Sequence, residues 1–165
     1  MRFSNTLAAA AVVASACCQP AAQAAWSGFD RPVGRLCTFG SPLRQHRAAL
    51  VLTGRFEMGS GRARPIYSLV FTADDGGEEI TRLDVSVDDR DVARFDSVAH
   101  VPAASGASAV VVLTTDMVGT LLRATDNGSV LRIQVPPARL SYDFDLSGFA
   151  AAADTFTDCM LHNGP

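Results

Sequence analysis

Cys37 and Cys159 are the residues whose type and placement most constrain the chemistry open to this 165-residue chain. They stand far apart and lack the CxxC spacing that redox exchange or a zinc site would use. In an oxidising compartment two such thiols are expected to pair with each other. The bond would close a loop of about 120 residues, for which chain entropy allows nearly 5 kcal/mol as an upper figure. A nucleophilic Cys159 is the sharper alternative, but a buried half-cystine offers no thiolate and no base sits at a recognisable spacing.

The other chemistry-bearing residues are scattered. His46, His100 and His162 form neither HExxH nor HxH, so each reads as a solvated or hydrogen-bonded side chain and no metal is expected. Asp143 and Asp145 alternate along one segment and would share a strand face at about 7 Å, a separation that overlaps glycoside hydrolysis. Alternation alone also places polar groups on a solvent face, and that reading is preferred. "DDRD" (88–91) and "DDGGEE" (74–79) have the composition of calcium ligands but not the 12-residue loop pattern, and read as turns. No serine stands in GxSxG: "GSG" (59–61) and "ASGAS" (104–108) do not fit. "GSGRAR" (59–64) could offer amides and the guanidinium groups of Arg62 and Arg64 to an anion, yet it lacks the phosphate-loop lysine and reads as a hairpin loop. Aromatic residues are too few for a sugar or base platform. No cofactor is implied, and a non-enzymatic chain is the expectation.

The elements that must position these residues are mostly short strands. "AALVLTGRFEM" and "PIYSLVFTA" are separated by "GSGRAR", which makes a long hairpin or a mobile loop. In "EEITRLDVSV", Leu83, Val85 and Val87 alternate with Arg82, Asp84 and Ser86, the pattern of a half-buried strand. "VARFDSVAHV" reads as the next strand, and the continuously apolar "SAVVVLTT" as a central strand covered on both sides. Residues 115–125 admit two readings: a short helix capped by Thr115 or Asp116, which we favour, or a hairpin arm turning at "DNG". "LSYDFDL" sends Tyr142, Phe144 and Leu146 inward and its aspartates outward. After it, Phe149, Ala152, Ala153, Phe156, Cys159 and Met160 recur at helical spacing, with Ser147 suited to the N-cap and Asn163-Gly164 to the stop. Seven or eight strands and a terminal helix predict one domain, residues 26–165. Its fold is mainly β, an antiparallel β-sandwich or partly open barrel with a C-terminal α-helix.

Residues 1–25 have the layout of a secretory signal peptide: Arg2, an apolar run of roughly 10 residues, then small residues before a cleavage site after Ala24 or Ala25. The run is too short to span a membrane. Lipidation at Cys17 or Cys18 is the rival, although alanine and serine precede them where a lipobox would be aliphatic. The expected address is therefore periplasmic or secreted. Excluding Arg2, 13 arginines face 17 carboxylates and there is no lysine, a balance of about −4 that argues against a nucleic-acid binder. Charge is uneven, however: residues 26–70 hold seven arginines against Asp30 and Glu57, whereas the remainder holds six against fifteen acids. Either antiparallel pairing brings the halves together and neutralises them, or Arg44, Arg47, Arg62 and Arg64 form a basic patch for an anionic partner.

"YDFDLSGFAAAADTF" resembles the C-terminal part of the invasion-associated locus B family of exported bacterial proteins, through Leu146, Gly148, Phe149 and Ala152. The preceding "LTTDMVGTLLRATDNGSVLRIQV" is similar to that family's strand, short leucine-bearing segment, turn and strand, and Trp26 ahead of Cys37 is similar to its N-terminal Trp and Cys. The resemblance covers about the last 55 residues, and the chain departs from it in having no cysteine between Cys37 and Cys159. It implies an accessory protein of the periplasm or cell surface of a Gram-negative bacterium and carries over no catalytic residue. The functional expectation is an exported binding protein whose partner is another protein. One alternative is an inhibitor or immunity-type protein that blocks a hydrolase with residues 59–64 or 102–108. A further alternative is a hydrolase that uses exposed Asp and His residues.

Overall fold

A long hairpin organises the molecule. In a computed structural model, which describes residues 26–28, 36–41, 48–59, 61–74, 79–102, 107–136 and 139–164, the chain opens with β1 (Ser27–Gly28) and β2 (Cys37–Ser41). β3 (Ala48–Gly59) and β4 (Arg62–Ala73) then pair along their whole length, from Ala48 opposite Ala73 to Gly59 opposite Arg62. Gly61 at φ 83° supplies the left-handed residue that so tight a reversal needs.

β5 (Leu83–Val87) and β6 (Arg90–Phe95) form a second hairpin, whose turn residues Asp88 and Asp89 both have positive φ, 47° and 61°. The Asp88 carboxylate accepts from the backbone N–H groups of Ser129 and Val130, which ties that turn to the next strand of its sheet. "DDRD" is thus a turn held by its own side chain. β7 (Ala99–Pro102) and β8 (Ala107–Leu113) follow, then α1 (Thr115–Thr125), β9 (Val130–Val135), β10 (Leu140–Asp145) and α2 (Phe149–Asn163).

The strands make two antiparallel sheets that do not close into a barrel, a six-stranded one in the order β1-β2-β3-β4-β8-β7 and a four-stranded one in the order β10-β9-β5-β6. The sandwich expectation holds and the barrel alternative does not. Two segment readings change. "VARFDSVAHV" contains two strands, β6 and β7, because the chain leaves one sheet after Phe95 and joins the other at Ala99. β8 is covered on one side only: Ala107, Ala109, Val111 and Leu113 are buried while Val112 is 70% exposed. Its unbroken apolar run comes from valines on the open face.

Between the sheets Phe39, Phe71, Phe144, Leu83 and Ile133 are fully buried. α1 forms as favoured, but its N-cap is Thr114, whose hydroxyl accepts from the Met117 N–H at 3.2 Å. α2 buries Phe149, Ala152, Phe156 and Met160 against the six-stranded sheet, with Asp154, Asp158 and His162 outside. Its N-cap is Gly148 at φ 77° and not Ser147. The Ser147 N–H and hydroxyl both donate to Asp145 Oδ1 instead, so serine closes the turn and glycine makes the bend. Gly164 is the stop, as expected.

Cys37 and Cys159 are bonded, with Cα atoms 5.8 Å apart. Cys37 lies opposite Gly54 in the ladder, and a Cβ added at Gly54 would stand 2.7 Å from Met160 Sδ and 2.8 Å from Phe156 Cζ. The missing side chain lets α2 sit on the strands next to its own staple.

Candidate functional site

The β3–β4 hairpin outruns its neighbours. β2 pairs with β3 only as far as Gly54, and β8 with β4 only from Tyr67, so Arg55–Gly59 and Arg62–Ile66 extend beyond the sheet for about 17 Å. Strand alternation then sorts the tip into two faces. Arg55, Glu57, Arg62 and Arg64 share the outer face, with Glu57 directly opposite Arg64; Phe56, Met58, Ala63 and Pro65 share the inner one. All four charged residues are exposed, and Met58 is 71% exposed. Pro65 and the arginines also blunt two otherwise unpaired strand edges.

The remaining charges are organised differently. On the outer face of the four-stranded sheet, Arg132 reaches Asp143 through Nε at 2.7 Å and Nη2 at 3.1 Å, and Asp89 through Nη1 at 2.5 Å. Arg82 makes a two-point contact with Asp84 at 3.0 and 2.6 Å, and Arg94 adds a third at 3.2 Å. The Arg82 hydrogen bond holds the Asp84 carboxyl below the ordinary carboxylate range, against a smaller opposing effect of burial. Asp143, hydrogen-bonded to it, raises the Arg132 guanidinium further above its usual value. Among the described residues no ion pair holds Arg55, Arg62 or Arg64.

Among the described residues no ion pair joins the basic N-terminal part to the acidic C-terminal part. β3 pairs with β4, both from the basic part as far as Val70, and the ion pairs of the described residues lie within the acidic part. Arg62 and Arg64 come together at the hairpin tip with Arg55, which the sequence reading did not single out. Its cue was available: Arg55 lies two residues from Glu57 on the strand that pairs with "RAR". Arg44, Arg47 and His46 lie outside the described residues, as do the leader with Cys17 and Cys18, most of "DDGGEE" and the centre of the 102–108 segment.

Asp143 and Asp145 share a face but not a task, since Asp143 binds Arg132 and Asp145 accepts from Ser147. His100 sits on β7 with a buried Nδ1, and His162 on α2 with Nδ1 2.7 Å from the Asp158 carbonyl oxygen. No three His, Cys, Asp or Glu side chains gather as metal ligands among the described residues. A cavity of about 30 Å³ between the sheets is lined by Trp26, Leu52, Val85, Leu121, Thr125 and Leu131. The only hydroxyl in that wall, that of Thr125, is engaged by the carbonyls of Leu121 and Leu122, so the space offers a ligand no polar anchor.

The outer face of the six-stranded sheet is a second surface that sequence reasoning missed. One row crosses it from Ser27 through Gly40, Val51, Val70 and Val110 to Ala99. Thr38, Thr53, Ser68 and Val112 make the row on one side, and Ala49, Thr72, Ser108 and Val101 the row on the other. None of these residues is charged. The cue was the alternation of Val, Thr and Ser in β3, β4 and β8, hidden because valines on both faces of β8 read as a doubly buried strand.

The described residues thus define an antiparallel two-sheet sandwich with a projecting arginine-bearing hairpin and a disulfide-pinned terminal helix. Comparison with family models, with curated proteins and with solved structures gives no match for this chain.

Proposed function

We propose that this chain is an exported, non-catalytic binding protein that engages another protein through the β3–β4 hairpin. The observation that carries the reading is the contrast in charge: Arg82, Arg94 and Arg132 are held by carboxylates, whereas Arg55, Arg62 and Arg64 project on a ribbon where, among the described residues, Glu57 alone offers a carboxylate beside them. Cations left without internal partners cost little in water and become productive when an acidic surface arrives. The Cys37–Cys159 bond supports an oxidising compartment, as does the leader read in the sequence. Among the described residues no helix is long and apolar enough to cross a membrane. The resemblance to the invasion-associated locus B family supports an accessory role in the periplasm or at the surface.

The test uses mature protein as bait in periplasmic extract, beside an Arg62→Ala/Arg64→Ala variant with an unchanged melting temperature. A protein retained by the wild type and lost or weakened at least about tenfold with the variant is expected, since each removed charge contact contributes about 1 kcal/mol or more. Equal retention by both would exclude the hairpin. A second reading, an inhibitor that occupies a hydrolase cleft, is favoured by the shape of the tip, two strands wide with both edges unpaired among the described residues. It predicts that the retained partner is a hydrolase whose activity falls when wild-type protein is added and recovers with the double variant.

A further inference from the structure

The uncharged outer face of the six-stranded sheet needs an account separate from the hairpin. A solvent face of an antiparallel sheet normally alternates to polar and charged side chains. The four-stranded sheet does so with Arg82, Asp84, Arg94, Arg132 and Asp143. On the six-stranded sheet the three rows centred on Val51, Val70 and Val110 carry no charge over about 450 Å² of sheet plane, taking their 14 positions at ~4.8 Å between strands and ~6.7 Å between rows. Val112 is 70% and Val101 45% exposed on it, while Val51, Val70 and Val110 are half-buried among Ser and Thr neighbours. Three of its hydroxyls are engaged within the face: Thr72 Oγ1 lies 3.0 Å from Ser108 Oγ, and Thr53 Oγ1 donates to the Ser68 carbonyl oxygen at 3.3 Å. Covering the face would strand few polar groups.

We infer that this face is the interface of a two-fold dimer of the chain. A two-fold interface apposes a patch to a copy of itself, so any charge near the axis meets its own sign. The valine rows satisfy that condition, whereas the outer faces of the other sheet and of the hairpin tip do not. The same charges set the direction. A dyad across the strands makes facing strands antiparallel and sends the two hairpins to opposite ends, whereas a dyad along the strands would set six arginines side by side. Two sheets so packed form an aligned stack ~10 Å apart. The plane area of about 450 Å² falls short of the ~600 Å² that each copy loses in a standard interface, so the dimer is weak and concentration-dependent, and both hairpins stay free for a partner.

The experiment is sedimentation velocity on mature wild-type protein over a concentration series up to about 100 μM, a range that populates a micromolar dimer. The mass is expected to rise from one chain to two. Val112→Arg and Val70→Arg each place a like charge twice in the interface and should raise the dissociation constant at least about 100-fold, with unchanged circular dichroism. Gln134→Arg, on the other sheet, should leave it unaltered. If Val70→Arg fails to fold, Val112→Arg decides, because that side chain is already 70% exposed. Wild-type protein of one-chain mass throughout would overturn the inference, as would a dimer that survives Val112→Arg or a face occupied by a different co-purifying protein. None of these outcomes depends on whether Arg62 and Arg64 bind a partner.

Discussion

Asp84 receives hydrogen bonds from two arginines, Arg82 along its own chain segment and Arg94 across the β5–β6 ladder. Because Arg82 holds its carboxyl below the ordinary range, the folded chain takes up that proton less readily than the unfolded chain does. Its contribution is therefore present above the unfolded carboxyl's titration near pH 4 and fades as pH falls through the lower folded value. Denaturation midpoints between about pH 5 and about pH 3 should drop further for the wild type than for Asp84→Asn. Equal slopes would show that the two arginines do not act on this group. The sequence displayed Arg82 and Asp84 on the outward side of a half-buried strand, but the third member was hidden. Arg94 joins them only through the register of β5 against β6, and that register carries a bulge between Val85 and Ser86 that alternation does not reveal.

At the scale of elements, α2 was legible because six inward residues repeat at three- and four-residue steps, and Cys159 falls among them. Its start was not, because a positive φ at Gly148 performs the reversal that a serine cap signalled. The seat of the helix was hidden as well. Gly54 reads as an interruption in a strand, yet it is the place where Met160 and Phe156 touch down. Gly54→Ala should cost about 1–3 kcal/mol in urea unfolding, because the new methyl must displace two packed side chains. Gly59→Ala is the matched control: its Cβ would meet nothing within 4 Å, and its effect should stay under about 1 kcal/mol. The staple next to Gly54 is worth more. With a sequence separation of 122, removing it by Cys37→Ala/Cys159→Ala should lower stability by about 3–5 kcal/mol, measured on the oxidised wild type against the variant.

For the whole molecule, the two-sheet architecture could be read from strand number and turn chemistry, whereas the assignment of strands to sheets could not. The crossing between Phe95 and Ala99 carries no Gly or Pro to mark it. The two surfaces proposed for binding exist only after that assignment, because one is an overhang relative to neighbouring strands and the other a face shared by all six. Arg62→Ala/Arg64→Ala should leave the unfolding free energy within about 0.5 kcal/mol, as exposed side chains without ion pairs among the described residues do. A larger loss would show that the tip is structural.

Trp26, near the front of the described chain, donates its indole N–H to the Asp145 carbonyl oxygen at 2.6 Å and meets the Phe149 ring edge-on at 4.9 Å. Cys37 likewise waits for Cys159. Trp26 and Cys37 are thus each completed by a residue 119 and 122 positions further along the chain. This corner of the molecule therefore cannot close before the segment from Asp145 to Cys159 is present, however early the hairpins form.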